Sequence, residues 1–383
     1  MTNARQYDVI VIGLGAMGSA TLYHLAKRGV RVLGLEQFSP LHDRGSSHGD
    51  SRIIRETYFE HPLYVPLVQR AHELWRALEE ASGASLLTLD GGLMIGPAEG
   101  TVVTGTLRSA REHNLPHEIL SPEEVAKRFP AFSVIPDVVA VLDPRAGYLD
   151  PEACTKAHID LAARAGAAMH FNERVLAWDA ANHGARVITA AGEYASEKLV
   201  LSAGSWLNSL LGELHLPLEI ERQTVSWFDP PAPAANYKSS RFPIYAYEFK
   251  AGVICYGFPE LARGVKASVM HDGGVFRSPD VIDRTVTEAD LRPLRSALHD
   301  VLPDLSRSPV RDSTTCIFTN TPDHDFVIDF HPEHSNVLIS SPCSGHGFKF
   351  ASAIGELQAD LVTTGSSRFD LTPFRLERLL KRP

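Results

Sequence analysis

Two residues toward the carboxyl end carry side chains suited to chemistry. Cys316, in Cys316-Ile317-Phe318-Thr319-Asn320-Thr321-Pro322-Asp323, offers a thiol; Lys349, in Ser344-Gly345-His346-Gly347-Phe348-Lys349, offers an ammonium three residues after an imidazole. A thiol can tether or attack. An ammonium at the start of a long helix can hold an anion, assisted by backbone N–H groups and the helix dipole. Near the other end, Arg52 and Arg55 in Gly49-Asp50-Ser51-Arg52-Ile53-Ile54-Arg55 are three apart and would share a face on a helical turn. An arginine fork fixes a carboxylate in one plane. Each residue also has a plainer reading. Cys316 and Cys343 fit small buried hydrophobes, Lys349 a solvated side chain, His346 a packing residue, and the arginines surface ion pairs with Glu56 or Glu60. Spacing alone does not rank the two thiols.

The amino-terminal elements say what those groups would act on. Asp8-Val9-Ile10-Val11-Ile12-Gly13-Leu14-Gly15-Ala16-Met17-Gly18 is an apolar strand emptying into G-x-G-x-x-G. A helix is expected over Ser19 to Arg28, stopped by Gly29, then a strand from Arg31 to Leu35 that ends on Glu36. Gly13 permits the tight turn, Gly15 lets the backbone approach a pyrophosphate on the helix N-terminus, and Gly18 allows close helix–strand packing. Glu36 can accept hydrogen bonds from ribose hydroxyls. The fingerprint predicts an adenine dinucleotide and serves NAD and FAD alike.

Two more strands run into small-residue turns, Glu197 to Ser202 before Gly204 and Trp206, and Asn336 to Ser341 before Gly345. Phe350, Ile354, Leu357 and Leu361 then mark one face of a helix. Three such junctions, near 13, 204 and 345, imply one α/β domain assembled from separated segments. Alternating stretches such as Leu86 to Ile95 and Gln223 to Phe228 read as strands of an antiparallel sheet. The expected architecture is a discontinuous Rossmann-like domain (1–84, 147–217 and 322–383) with an inserted antiparallel-sheet domain (85–146 and 218–321). Asp150 and Pro151 read as the cap and first residue of a helix.

Composition agrees with a globular chain of about two domains: 383 residues, 44% hydrophobic and 22% charged. A net charge of −9 argues against a nucleic-acid partner. The four cysteines are scattered, with no zinc spacing, so neither a structural metal nor a disulfide framework is expected. No run reaches membrane length, and neither the first apolar stretch nor Leu380-Lys381-Arg382-Pro383 reads as a targeting signal. A cytoplasmic location is expected.

Read together, several segments in this order resemble the monomeric sarcosine oxidase and N-methyltryptophan oxidase family of D-amino-acid-oxidase-like flavoproteins. They are Gly13 to Gly18, Gly49 to Arg55, Tyr256-Gly257-Phe258-Pro259, Cys316 to Pro322, His331-Pro332-Glu333-His334-Ser335-Asn336 and Ser344 to Phe350. The resemblance covers essentially the whole chain and implies FAD. By position it implies cofactor contacts from Gly13, Gly15, Ala16, Met17, Gly18, Glu36, Gln37, Ser46, His48, Arg52, Val175, Gly204, Trp206, Gly345, Gly347, Phe348 and Lys349. Cys316 corresponds to the cysteine that forms a thioether to the 8α-methyl of FAD. Arg55 and Lys349 correspond to the pair that binds the substrate carboxylate. Lys266 matches the lysine on the flavin's other face, where its charge helps oxygen accept an electron. Arg52 lies beside the ring, and Tyr256, His346 and His271 line the substrate cavity.

The activity so implied is oxidation of a secondary α-amino acid to an imine that water hydrolyses, with O2 reduced to H2O2 by a monomer. A flavin dehydrogenase using another acceptor and a non-catalytic flavin-binding subunit are the alternatives. The chain departs from the family pattern in three places. Lys266-Ala267-Ser268-Val269-Met270-His271 has one residue more than the usual Lys-x-x-x-His, which reverses a strand side chain unless a bulge absorbs it. Phe318 stands where tyrosine is common, and Cys343 where an aromatic residue is common.

Overall fold

The computed structural model describes residues 5–134, 137–181 and 184–380. The terminal Lys381-Arg382-Pro383, read above for targeting signals, lies outside them. One of the two large sheets has eight strands. Arg5–Ile12 runs parallel to Val32–Leu35 on one side and to Gly192–Leu201 on the other, and His334–Ser341 lies parallel to Gly192–Leu201. The strand-to-glycine junctions separated by hundreds of residues in sequence therefore end side by side. Val9, Ile10, Val11 and Ile12 are all buried, as in a parallel strand covered on both faces.

The first helix spans Ala16–Lys27, three residues earlier than expected. Gly15 already has the extended backbone of an N-cap, and Gly18 belongs to the first turn, where a Cβ would stand 1.8 Å from the Gly13 carbonyl oxygen. This helix packs on Ala351–Thr364 at Gly355, where a Cβ would come within 2.5 Å of Ala20. Helix Pro151–Arg164 begins as expected, with the Asp150 carboxylate accepting the Ala153 N–H at 2.8 Å.

The other large sheet has nine strands. Its pairs are antiparallel except Gly92–Pro97 with Ile244–Lys250, which is parallel. The stretch from Leu86 to Ile95 is not one strand. It breaks at Gly91 (φ 91°), placing Leu87–Thr88 in a small three-stranded sheet and Gly92–Pro97 in the large one. The small sheet also contains Arg52–Ile54, paired with Gly147–Leu149. Arg52 and Arg55 thus do not share a helical face. Extended backbone turns residues three apart to opposite sides, and the two guanidinium groups serve different parts of the site. No described helix is long and apolar enough to cross a membrane.

Candidate active site

A continuous cavity with about 1970 Å³ of empty space, solvent at its mouth included, runs between the two large sheets. Its walls include Gly13, Gly15, Ala16, Met17, Glu36, Gln37, Ser46, Arg52, Val175, Gly204, Trp206, Cys316, Gly345, Gly347, Phe348 and Lys349, all expected as cofactor residues. Gly18 and His48 stand behind the wall, Gly18 as a packing residue and His48 buried beside Cys316.

At the nucleotide end the residues fit a dinucleotide. The first helix has no acidic residue in its first turn, and apart from the Ala16 N–H, which donates to Ser47 Oγ at 3.2 Å, its leading N–H groups and dipole favour an anion. Glu36 is fixed at the end of its strand, accepting the Leu14 N–H at 2.8 Å and the Phe38 N–H at 3.0 Å.

The middle of the cavity holds a cationic cluster around Cys316. Arg52 donates to the carbonyls of Ser46 (2.8 Å), His48 (2.5 Å) and Ser51 (2.8 Å) and reaches the Cys316 sulfur at 3.5 Å. Burial would raise the thiol's pKa, but Arg52, a hydrogen bond from His48 and the charge of Lys266 outweigh it and bring it down to about 6. Cys316 is thereby distinguished from Cys343, whose thiol burial pushes up to about 11. Lys266 sits in strand Gly264–Val269 with its Nζ on the carbonyls of Gly49 (2.6 Å) and Ser51 (2.9 Å). Burial first, then Arg52, holds its pKa well below the ordinary lysine value.

The third part lies where the last strand passes into the final helix. Lys349, in the turn Phe348–Phe350, and Arg55 converge on the Tyr58 ring, at 5.2 and 4.3 Å from its centre. Both are buried. Arg55 is also ion-paired, with both Glu60 oxygens accepting from Nη2 at 2.7 and 2.5 Å. The ion-pair reading and the clamp reading therefore meet in one residue. Burial, with Arg55 nearby, lowers Lys349 to about 7, and its Nζ donates to the His346 carbonyl at 2.6 Å.

His346 lines the cavity, but its ring is fully engaged. Nδ1 meets the Tyr58 hydroxyl at 2.5 Å and Nε2 the His324 carbonyl at 3.0 Å. Since a carbonyl only accepts, Nε2 carries the proton, and Nδ1 accepts from Tyr58. Burial lowers the imidazole's pKa to about 4. His346 is thus held neutral with both ring nitrogens engaged.

Tyr256 lines the cavity as expected, its phenol raised to about 12 by burial. His271 does not line it. The backbone turns at His271 (φ 56°), and its Nδ1 pairs with Glu221 at 2.9 Å. Ala267 to Val269 pair in regular register with Gly257 to Cys255, and the register shift of that pair lies earlier, opposite Lys266, so the extra residue is not absorbed there and Met270 lines the cavity in place of the expected side chain. Sequence reasoning also missed Tyr58 as the platform beneath both cations. Its only local signal was an aromatic residue three positions after Arg55.

The comparisons agree with this geometry. Residues 8–361 match the model of the family described as FAD dependent oxidoreductase. A monomeric sarcosine oxidase of Streptomyces avermitilis is 43% identical over 98% of this chain and 99% of its own length. An N-methyl-L-tryptophan oxidase of Citrobacter koseri is 35% identical over 97% and 99%. In fold the chain is similar to glycine oxidase from Geobacillus kaustophilus, with TM-score 0.80 and 23% identity over 99% of this chain and 100% of that one. The chain therefore belongs to the FAD-dependent oxidoreductase family, within its monomeric sarcosine oxidase and N-methyltryptophan oxidase group, and FAD is its cofactor.

Proposed function

We propose that this protein is an FAD-dependent oxidase of secondary α-amino acids, N-methyl or N-alkyl, which converts the amine to an imine that water hydrolyses and reduces O2 to H2O2. The observation that carries the reading is the convergence of buried Arg55 and Lys349 on one aromatic ring, Tyr58. Two cations with so little solvent around them suit a substrate carboxylate. Arg55 already pairs with the Glu60 carboxylate, which supports its reading as a carboxylate-binding group. An incoming carboxylate would favour the charged form of Lys349, which burial weakens. Held by its carboxylate, the substrate amine would be presented to the cofactor in one orientation.

Bound FAD supplies the two-electron acceptor for the amine and passes the electrons on to oxygen. The N-terminus of the first helix, Glu36 and the Gly204 and Gly345 turns would hold it, and Cys316 would tether it. Negative charge forming on oxygen would favour the charged form of Lys266, which burial weakens, and would be stabilised most in so dry a site. In this reading residues 1–84, 147–217 and 322–383 hold the cofactor, and 85–146 and 218–321 cover the substrate. The protein works as a cytoplasmic monomer. A peroxide-coupled assay across sarcosine, N-methyl amino acids, pipecolate and iminodiacetate tests the reading. One H2O2 per substrate is expected; substrate oxidation that needs a dye acceptor would make it a dehydrogenase.

A further inference from the structure

We propose that Met270, with Phe318 and Cys343, sets the specificity of this site for secondary amino acids whose carbon skeleton beyond the amine and carboxylate is apolar. The inference rests on the amino-acid oxidase reading and narrows its substrate class.

Side chains along a strand alternate, so Lys266, Ser268 and Met270 point to one side. The Met270 N–H bonds the Ile254 carbonyl at 2.8 Å, which continues the pairing of that strand beyond Val269. Lys266 and Met270 both line the cavity. The extra residue therefore puts a thioether on the wall and turns the imidazole of His271 away. Glu221 holds that imidazole, and is itself fixed by the Gly273 N–H at 3.1 Å and the Asn320 side-chain N–H at 2.7 Å. Phe318 completes this wall. Gly345 leaves room for its ring, since a Cβ there would lie 3.1 Å from it, and His271 meets the ring edge-on from behind, with centroids 5.4 Å apart.

To the cavity wall Met270, Phe318, Cys343 and Tyr256 contribute a thioether, a phenyl ring, a thiol and a phenol. None carries a charge at neutral pH, the thiol and phenol because burial raises both. The nearby cations are engaged: Lys266 and Arg52 by backbone carbonyls, and Arg55 and Lys349 at the α-carboxylate position. A second carboxylate would be desolvated here with no partner. An aliphatic group gains about fourfold in binding for each methylene it buries.

The test is kcat/KM of the FAD-loaded enzyme, by oxygen consumption, for sarcosine, N-methyl-L-leucine, L-pipecolate, N-methyl-L-aspartate and iminodiacetate. The apolar pair should exceed sarcosine by about tenfold or more, and the dicarboxylates should fall below it by a similar factor. Met270→Gln, similar in shape, should reduce the ratio of N-methyl-L-leucine to sarcosine by about tenfold. Dicarboxylates equal to the apolar substrates, or a ratio unmoved in Met270→Gln, would overturn the inference. Turnover of sarcosine with no gain for the apolar pair would overturn it and leave the oxidase reading standing. Turnover of none of the five would remove both.

Discussion

The sulfur of Cys316 lies 3.5 Å from Nη2 of Arg52, in a pocket where Arg52 also binds the carbonyls of Ser46 and His48. A buried thiol is ordinarily inert, and this one is brought down to about 6 by the neighbouring positive charge. The relationship gives the proposed tether a thiol that can ionise near neutral pH.

Its first consequence concerns the flavin tether. After acid precipitation the yellow colour should stay with the wild-type polypeptide and leave it in Cys316→Ala. Arg52→Met should slow attachment roughly tenfold or more when FAD is added to apoprotein, because the thiolate fraction at neutral pH falls. Colour retained in Cys316→Ala would move the tether elsewhere, with Cys343 the next cavity thiol.

Lys349 shapes the pH profile. The substrate amine must be neutral to react, so kcat/KM rises with pH. Lys349, lowered to about 7 mainly by burial, loses its proton above that pH and weakens the carboxylate clamp. The two effects oppose, and the rise should flatten above pH 7. In Lys349→Arg, whose charge persists, the rise should continue to higher pH. Identical profile shapes in the two proteins would contradict the assignment.

Lys266 belongs to the oxygen step. Lys266→Met should slow reoxidation by about a hundredfold while reduction by substrate changes far less. Equal losses in both steps would show that Lys266 serves the site's architecture instead.

Acid sensitivity follows from His24, on the first helix, and His158, on Pro151–Arg164, whose rings lie 5.1 and 5.7 Å from that of Tyr23. Burial is the main cause holding them down, to about 4 and about 3. Both titrate near 6.5 in the unfolded chain, which therefore binds more protons across the acid range. Their stabilisation is complete above pH 6.5 and is lost as pH falls toward 4, on the order of 3 kcal/mol for each. The urea midpoint should drop between pH 7 and 4.5, and His158→Leu should drop less. An equal drop would assign the acid loss to other groups.

Much of this was legible in the sequence where local geometry and function coincide. The G-x-G-x-x-G turn, Glu36 and the Asp150-Pro151 cap depend on a few adjacent residues, and each lies where its pattern placed it. Arg52 and Arg55 were read with the wrong period because three-residue spacing suits a helix, and only pairing with Gly147–Leu149 reveals the strand. Spacing could not rank Cys316 over Cys343, and only the resemblance did, since the physical difference depends on Arg52 and His48 more than two hundred residues away. The extra residue before His271 was visible, yet its outcome was decided by two distant contacts, Met270 to Ile254 and His271 to Glu221.

The most direct test of the central claim is anaerobic mixing of the purified yellow protein with a secondary amino acid such as N-methyl-L-leucine or sarcosine. The account predicts that the oxidised-flavin absorbance bleaches, and that admitting oxygen restores it with release of one H2O2 per flavin. Flavin that stays oxidised with every carboxylated secondary amine, in protein that binds FAD normally, would contradict it.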